Sequence, residues 1–521
     1  MATPSEKLAR SLEVLTRLQS QDGAAAIRSS NMPRVDRERL VTSGFLQEVM
    51  KGWYIPTRPD EARGESTAWY ASFWRFCAAY LNERFGKQWC LSPEQSLSLH
   101  AGNWSVPKQL LIRSPKAGNK VTNLPHNTSL LDVRARMPPA GDISEEEGMR
   151  IFSMDTALIA CAPSYFAQNA TDVRAVLSVI KDASSLLARL LEGGHSTIAG
   201  RLAGALRNIG RDRIADDIGK AMSAAGYVMR ENDPFVDRPP TGLAHRDISP
   251  YANRIRLLWH SMRQPVIEHF PAAPALARNF QKYMQQVDDV YVTDAYHSLS
   301  IEGYRVTPEL IERVRSRRWN PDLEDEDKTH RNALAARGYW EAFQTVRASV
   351  EQALKRKNPG LIAEEDHGEW YRQMFSPSVT AGLLRPADLA GYRNSPVYVR
   401  RSMHCPMNYQ AVRDTMPAFF NLLFEETDPT VRVVLGHFIF VYIHPYMDGN
   451  GRIGRFLMNL MLAAGGYPWT VIPLESRSEY MEALEQASLK GDIVPFSQFL
   501  ARLVGRGLAG DALPQIPGPD R

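Results

Sequence analysis

Cysteine is nearly absent from this chain: Cys77, Cys90, Cys161 and Cys405 are the only four in 521 residues, widely spaced and without a CxxC pair. That spacing offers neither a disulfide framework nor a thiolate metal site, and reduced thiols in a cytoplasmic protein are the expectation. Also missing is any run of about eighteen apolar residues, so neither a spanning helix nor a membrane partner is expected. Met1 to Ser20 is charged and amphipathic, without the apolar stretch of a secretory leader. The N-x-S/T triplets at Asn103, Asn127 and Asn169 therefore read as chance matches. Neither sign of charge dominates, with 62 basic against 58 acidic residues and a formal net charge of +4. Such a balance demands no nucleic-acid surface, although a local basic face fits inside it. Internal repeats and low-complexity tracts are lacking too.

What is present is an ordinary globular composition, 44% hydrophobic and 23% charged, in a chain long enough for two or three domains. Leu8, Leu12, Leu15 and Leu18 recur at helical spacing, and a second helix over Arg37–Val41 stops at Ser43-Gly44. Phe45 to Val49 then reads as a strand, Met50-Lys51-Gly52 as a turn and Trp53-Tyr54-Ile55 as the returning strand, closed by Pro56. Two helices and a hairpin are the layout of a winged helix. The string LVTSGFLQEVMKGWYIP resembles the winged-helix segment of AbiEi-type antitoxin regulators, which implies DNA as a partner of a domain over residues 1–62. Arg34, Arg37, Arg39, Lys51 and Arg58 cluster near the wing, while Asp36, Glu38 and Glu48 dilute their charge.

Residues 63–238 read as a mixed α/β middle domain with no catalytic constellation, ending in a linker-like ENDPFVDRPPTG. Residues 249–508 read as mainly α, with one β-like interruption at Val397-Tyr398-Val399.

The chemistry concentrates in HPYMDGNGRIGR, His444 to Arg455. Val431, Val434, Leu435, Phe438, Ile439 and Tyr442 lead a buried helix into His444, Pro445 stops it, and Phe456, Leu457, Leu460 and Met461 begin a second apolar helix. A Gly-Asn-Gly loop opening a helix is an anion site: free N–H groups and the positive end of the helix dipole face whatever sits there. Gly449 and Gly451 permit close approach, and Arg452 and Arg455 supply guanidinium forks. Asp448 offers a hard oxygen to Mg²⁺, or Mn²⁺ in its place. A neutral imidazole at His444 suits a general base. Base, metal ligand, anion site and cationic clamps together describe phosphoryl-type transfer.

This string resembles the Fic family signature HPFx[DE]GNGRxxR, departing only at Tyr446, and the resemblance extends over roughly residues 249–505. It implies an all-helical domain with a small β-hairpin flap that moves AMP from ATP onto a Tyr, Thr or Ser hydroxyl of a target protein. His444 would be the base, Asp448 the metal ligand, and the run Gly449, Asn450, Gly451, Arg452, Ile453, Gly454 and Arg455 the nucleotide-binding segment, with Arg455 on the γ-phosphate. Family members that phosphorylate instead carry Lys where this chain has Gly451, so Gly451 and Arg455 favour adenylyl transfer.

Three further segments carry family patterns. Ser298-Leu299-Ser300-Ile301-Glu302-Gly303 fits [ST]xxxE[GN], an inhibitory helix in which Ser298 and Glu302 share a face. Glu302 would form a bidentate pair with Arg455 and take the place of the γ-phosphate. YRNSPVYVRRSMHCP resembles the flap, with Val399 on a strand edge that pairs with an extended target segment. Arg400 and Arg401 suit an acidic target or a solvated face, and His404 a polar turn. Tyr480 matches an aromatic lining the adenine site, a position also compatible with core packing. The resulting reading is an autoinhibited protein adenylyltransferase, in some members of the family a homodimer. The alternatives are a DNA-binding regulator of toxin–antitoxin type with a regulatory Fic module, and transfer of another nucleotide such as UMP.

Overall fold

A computed structural model describes residues 3–22, 26–59, 66–237, 249–274, 280–316 and 331–516. The chain falls into two compact units, Met1–Pro250 with Val397–Met407, and Tyr251–Pro396 with Asn408–Arg521.

The first unit opens with α1 (Pro4–Asp22), β1 (Ile27–Arg28), α2 (Arg34–Thr42), β2 (Leu46–Met50) and β3 (Trp53–Pro56). Leu15 of α1 is buried with Ile27, Met32, Leu40 and Leu46, and Leu8, Leu12 and Leu18 flank it, as their spacing predicts. Gly44 (φ 77°) ends α2, and Gly52 (φ 81°) turns the hairpin. Sequence reading missed β1, which makes the sheet three-stranded in the order β1-β3-β2. The segment is packed onto the helix after it. Trp53 lies edge-on against Phe76 and Tyr80 of α3 (Thr67–Phe85) at 5.7 and 6.1 Å, and Arg28 pairs with Glu83 at 2.7 Å.

The rest of this unit holds a sheet β4 (Cys90–Leu91), β5 (Gln109–Ser114), β7 (Ser129–Arg134), β6 (Lys120–Asn123), in which β5 and β7 run parallel. A second hairpin, β8 (Ile143–Glu146) and β9 (Met149–Phe152), and seven helices, α4 to α10, between Pro93 and Ala224 complete it among the described residues. The expected linker departs from expectation in its described half. Backbone at Arg230 and Asn232 lies so close to Gly200 and Gly204 that a Cβ at either glycine would collide with it, and Arg174 Nη2 donates to the Asp237 carbonyl at 2.6 Å. Residues 238–242 of that string lie outside the described residues.

The flap segment also differs from expectation. No strand forms between Tyr392 and Pro406. Irregular segments flank a turn at Arg400-Arg401, where Ser402 N–H donates to Val399 O at 3.2 Å and Arg401 adopts φ 59°. Backbone groups that a hairpin would pair across the turn bond elsewhere: Val106 N–H donates to Met403 O at 2.8 Å, and Arg401 N–H to Thr67 Oγ1 at 3.0 Å. Val399 is half-buried, Arg400 is exposed, and His404 is buried rather than set in a solvated turn.

The second unit is helical: α11 (Pro250–His269), α12 (Phe280–Ile301), α13 (Pro308–Arg315), α14 (Arg331–Leu354), α15 (Pro359–Thr380), α16 (Tyr409–Glu425), α17 (Pro429–Ile443), α18 (Asn450–Ala464), α19 (Arg477–Lys490) and α20 (Val494–Ala509). Caps set the starts. Asn358, Asn408 and Asp428 accept first-turn N–H groups, and Pro359 and Pro429 occupy first positions where a missing donor costs nothing. Helix α17 is buried on all sides, not only along the stripe that its periodicity suggests, so it is the axis of the unit. Helices cross closely where glycine allows. A Cβ on Gly338 of α14 would run into the Met374 carbonyl of α15. Gly338→Ala should therefore destabilise the chain by about 1–3 kcal/mol through forced separation of the two helices, read as a lower urea midpoint at unchanged m-value.

Candidate active site

The site is built where α17 gives way to α18. The chain must leave a buried helix, reverse, and start another within six residues. His444 takes a left-handed conformation (φ 54°, ψ 61°) while its N–H still donates to Phe440 O at 3.0 Å. A non-glycine residue in that region costs about 1–3 kcal/mol and persists only where its surroundings over-determine it. They do so here. Asn450 clasps the loop, accepting from Tyr446 N–H at 2.9 Å and donating to Tyr446 O at 2.8 Å. Tyr446 is 1% exposed and stacks on Tyr371, ring centroids 4.0 Å apart and 5° from parallel. Arg393 donates from Nε to His444 O at 2.8 Å and from its backbone N–H to Pro445 O at 2.9 Å.

Gly449 (φ 80°) then opens α18 against the Phe375 ring, which leaves no room for a Cβ. Ile453 N–H returns to Gly449 O at 2.9 Å. By helix geometry the N–H groups of Asn450, Gly451 and Arg452 have no acceptor within the helix and face outward from its start. Asp448, whose side chain is 63% exposed, accepts from Gly449 N–H at 2.6 Å through one oxygen and lies 3.6 Å from Arg452 Nη2 through the other.

His444 Nδ1 lies 3.2 Å from Val441 O. A carbonyl can only accept, so Nδ1 carries the proton and Nε2 keeps its lone pair. Burial pushes the imidazole pKa down to about 4 against the pull of that hydrogen bond, and the Arg393 guanidinium lowers it further. The ring is neutral at physiological pH, as a base must be.

Opposite lies the end of α12. Arg455, 3% exposed, donates from Nε to Ser298 Oγ at 2.9 Å and from Nη2 to Ser298 O at 3.0 Å and Glu302 Oε1 at 2.7 Å. The expected bidentate pair is thus a single-oxygen contact, because Ser298 takes the rest of that edge of the fork. Gly303 (φ 88°) ends the helix, and Arg477 Nε donates to Ile301 O at 2.8 Å. A Cβ on Gly451 would collide with Glu302 Oε1, so the carboxylate lies directly on the first turn of α18. Burial opposes the Glu302 charge, yet Arg455, Arg452 and Arg477 outweigh it and hold the carboxyl below its ordinary pKa. Arg452 is 1% exposed, with its guanidinium 5.1 Å from the Tyr304 ring and 5.2 Å from that of Phe375. Its Nε and Arg455 Nη1 are buried and make no hydrogen bond among the described residues. Unspent donors beside a helix start suit an anion with several oxygens.

Residues 362–462 match the Fic/DOC family model. Those residues form a Fic domain. Relatives named protein adenylyltransferase Fic are similar to it: one from Nematostella vectensis is 30% identical over 231 residues, covering 42% of this chain and 48% of that protein. One from Drosophila grimshawi is 32% identical over 217 residues, covering 41% of each. The chain therefore spans about half or less of the length of these curated relatives. A solved structure of Fic-1 (residues 134–508) from C. elegans covers 67% of this chain and 98% of that one at 18% identity, with a TM-score of 0.36.

The structure brings His444, Asp448, Gly449, Gly451, Arg452 and Arg455 together with Ser298 and Glu302, which precede the matched segment. It assigns other residues of the predicted segment differently. Ile453 is fully buried core, and Gly454 is a packing glycine whose Cβ would press on Val441 and His437 of α17. Asn450 spends its side chain on the loop. Tyr480 is 1% exposed, its hydroxyl 2.7 Å from His437 Nε2 and its ring among Phe496 and Phe499, so it backs the arginines and presents no open face for a base. Sequence reading missed Arg393, Tyr304, Phe375 and the buried Asp294, which accepts from the Tyr339 hydroxyl at 2.6 Å one turn before Ser298 on the same face of α12. The i, i+4, i+8 spacing of Asp294, Ser298 and Glu302 is a signal that was available.

Burial also lowers His367 and His437 to about 4. In a histidine-selective ¹⁵N titration, His367, His437 and His444 should stay neutral from pH 8 down to 5.5, while solvated histidines protonate near about 6.5. A His444 midpoint above about 6 would show its imidazole to be solvated rather than held neutral by burial.

Proposed function

We propose that this chain is a protein adenylyltransferase that moves AMP from ATP to a side-chain hydroxyl of a target protein and is held back by Glu302. The observation that carries it is the pairing of a neutral His444, its Nε2 lone pair free, with an anion site at the start of α18 that buries two arginines. The names of the relatives supply the nucleotide and the acceptor class.

The reaction follows from these parts. The target oxygen attacks the α-phosphorus, His444 Nε2 takes its proton, the bond from that phosphorus to the bridging oxygen breaks, and pyrophosphate leaves. First-turn N–H groups, Arg452 and Arg455 stabilise the charge that develops on the phosphate oxygens. A divalent ion would be held by Asp448 together with nucleotide phosphates. One exposed carboxylate with no cluster of three acidic, His or Cys ligands among the described residues fits Mg²⁺, which takes few protein ligands, and the ion would neutralise phosphate charge.

Glu302 is the brake in this reading. A carboxylate at a helix C-terminus is disfavoured by the dipole, so its placement needs the compensating charge of three arginines. In return it occupies the arginine that a terminal phosphate needs. The phosphate-binding groups do not read the base, and ATP rests on the relatives alone.

A regulator binding DNA through residues 1–62 retains the helix–helix–hairpin order in its favour. Three of its arginines, however, are engaged inside the chain: Arg34 with Glu38, Arg37 with Ser29 O and the Tyr54 ring, and Arg39 with Ser11 and Asp36. The geometry supports the transferase better. No helix among the described residues is long and apolar enough to cross a membrane.

Incubation with α-³²P-ATP and Mg²⁺ tests the proposal. Label should be faint on wild type, at least about 10-fold stronger on Glu302→Gly, and absent from Glu302→Gly/His444→Ala. Label from α-³²P-UTP but not ATP would change the nucleotide. No label in any variant or in added lysate would sink the transferase.

A further inference from the structure

The left-handed turn at His444 creates a problem that one side chain solves. As the chain departs from α17, the carbonyls of His444 and Pro445 swing away from any helical partner. A buried carbonyl left unpaired is destabilising. Both converge on Arg393, which is 1% exposed and lies between a short 3₁₀ turn (Pro386–Leu389) and the segment that ends at Pro396. Its Nε reaches His444 O at 2.8 Å, its backbone N–H reaches Pro445 O at 2.9 Å, and Nη1 reaches Ser395 O at 3.4 Å. The next contact of the same strand of chain, Ser395 Oγ with Met447 Sδ at 3.2 Å, fastens the far side of the loop. Residues 393–395 thus act as a splint along His444 to Met447.

We propose that Arg393 is a positioning residue for the transfer: by holding the His444 and Pro445 carbonyls it fixes where Nε2 points, and so governs turnover rather than nucleotide binding. This rests on the reading of His444 as the base. The carbonyls that Arg393 holds lie beside His444, whereas the groups that would hold phosphate lie on α18, which separates the two effects. A fixed imidazole matters because a misplacement of about 1 Å at a reacting atom costs about 100-fold in rate. The guanidinium also disfavours a proton on the neighbouring ring, which keeps the base ready. Lysine cannot replace it fully, since an ammonium lacks the planar fork that lets Nε and Nη1 serve different carbonyls.

The test places Arg393→Met and Arg393→Lys in the full-length Glu302→Gly chain. Transfer should fall about 10- to 100-fold for Met and less for Lys, with KM for ATP unchanged within about twofold. The His444 ring ¹⁵N resonances should shift, and their titration midpoint should rise in the Met variant. Parental turnover with either variant overturns the proposal, as does a loss of ATP affinity that accounts for the whole loss of rate. Should Arg393→Met fail to fold, by circular dichroism and thermal melting, Arg393→Lys alone decides. If the Glu302→Gly parent transfers nothing, the reading of the site fails. His444 then judges the splint by itself: displaced resonances in the Lys variant support it, and unchanged ones overturn it.

Discussion

Arg455 is a cation buried to 3% exposure on the second turn of α18, and the centre of the domain is organised around the need to compensate it. Leaving a buried guanidinium unpaired costs several kcal/mol, and charge-assisted hydrogen bonds offset that only where geometry is good. Helix α12 supplies the geometry. Ser298 gives a hydroxyl and a carbonyl, and Glu302, one turn on, gives the counter-charge. Asp294, a turn earlier, is pushed up to about 6 by burial, so it adds little formal charge at lower pH and serves chiefly as an acceptor for Tyr339. The helix end is in turn held by Arg477 on the Ile301 carbonyl.

The same requirement makes a carboxylate and a phosphate interchangeable occupants. Both are anions, both accept from a helix N-terminus, and Gly451 has no Cβ to keep either away. Whatever displaces Glu302 must bring its own negative charge, because solvent cannot compensate a buried guanidinium as well. The glycines of the loop divide the work. Gly449 makes the turn, Gly451 opens the anion site, and Gly454 lets α17 and α18 close on each other behind it.

Much of this was legible in the chain. The order His444, Asp448, Gly-Asn-Gly, Arg452, Arg455 states a helix, a stop, an anion loop and a second helix, because proline, glycine and apolar periodicity act locally. Ser298 and Glu302 were legible as a helical pair, and the structure sets them on Arg455. What could not be read depends on approach in three dimensions. Whether the Asn450 amide faces a ligand or closes its own loop depends on where the Tyr446 backbone comes to lie, and here it meets both Asn450 side-chain groups. Tyr480 has the right residue type for a base-stacking wall, yet the surrounding packing of His437, Phe496 and Phe499 closes over it. The flap fails as a hairpin for a related reason. Its backbone groups find acceptors and donors at Thr67 and Val106, some three hundred residues away in sequence, and no local β-propensity reports that. Arg393 looks like one more loop arginine, and only the left-handed His444 exposes why two carbonyls need it.

The proposed brake acts on the anion site; the Glu302 charge favours a proton on His444, but burial outweighs it and keeps the ring neutral. His444 is neutral with Glu302 in place, its Nε2 lone pair available, so under this proposal the base stays ready while the phosphate pose is denied. Relief then requires no change in the base, only that the ion pair lose to a competitor. That pair is built to be lost. It is made through one oxygen, its carboxylate side chain is 30% exposed, and Gly303 lets the chain turn away at once. A triphosphate offers several oxygens where Glu302 uses one, and it can engage Arg452 Nε and Arg455 Nη1, donors that the carboxylate leaves unspent. A fully buried, bidentate pair would have locked the site. The single-oxygen contact sets a threshold that a well-seated polyanion can cross.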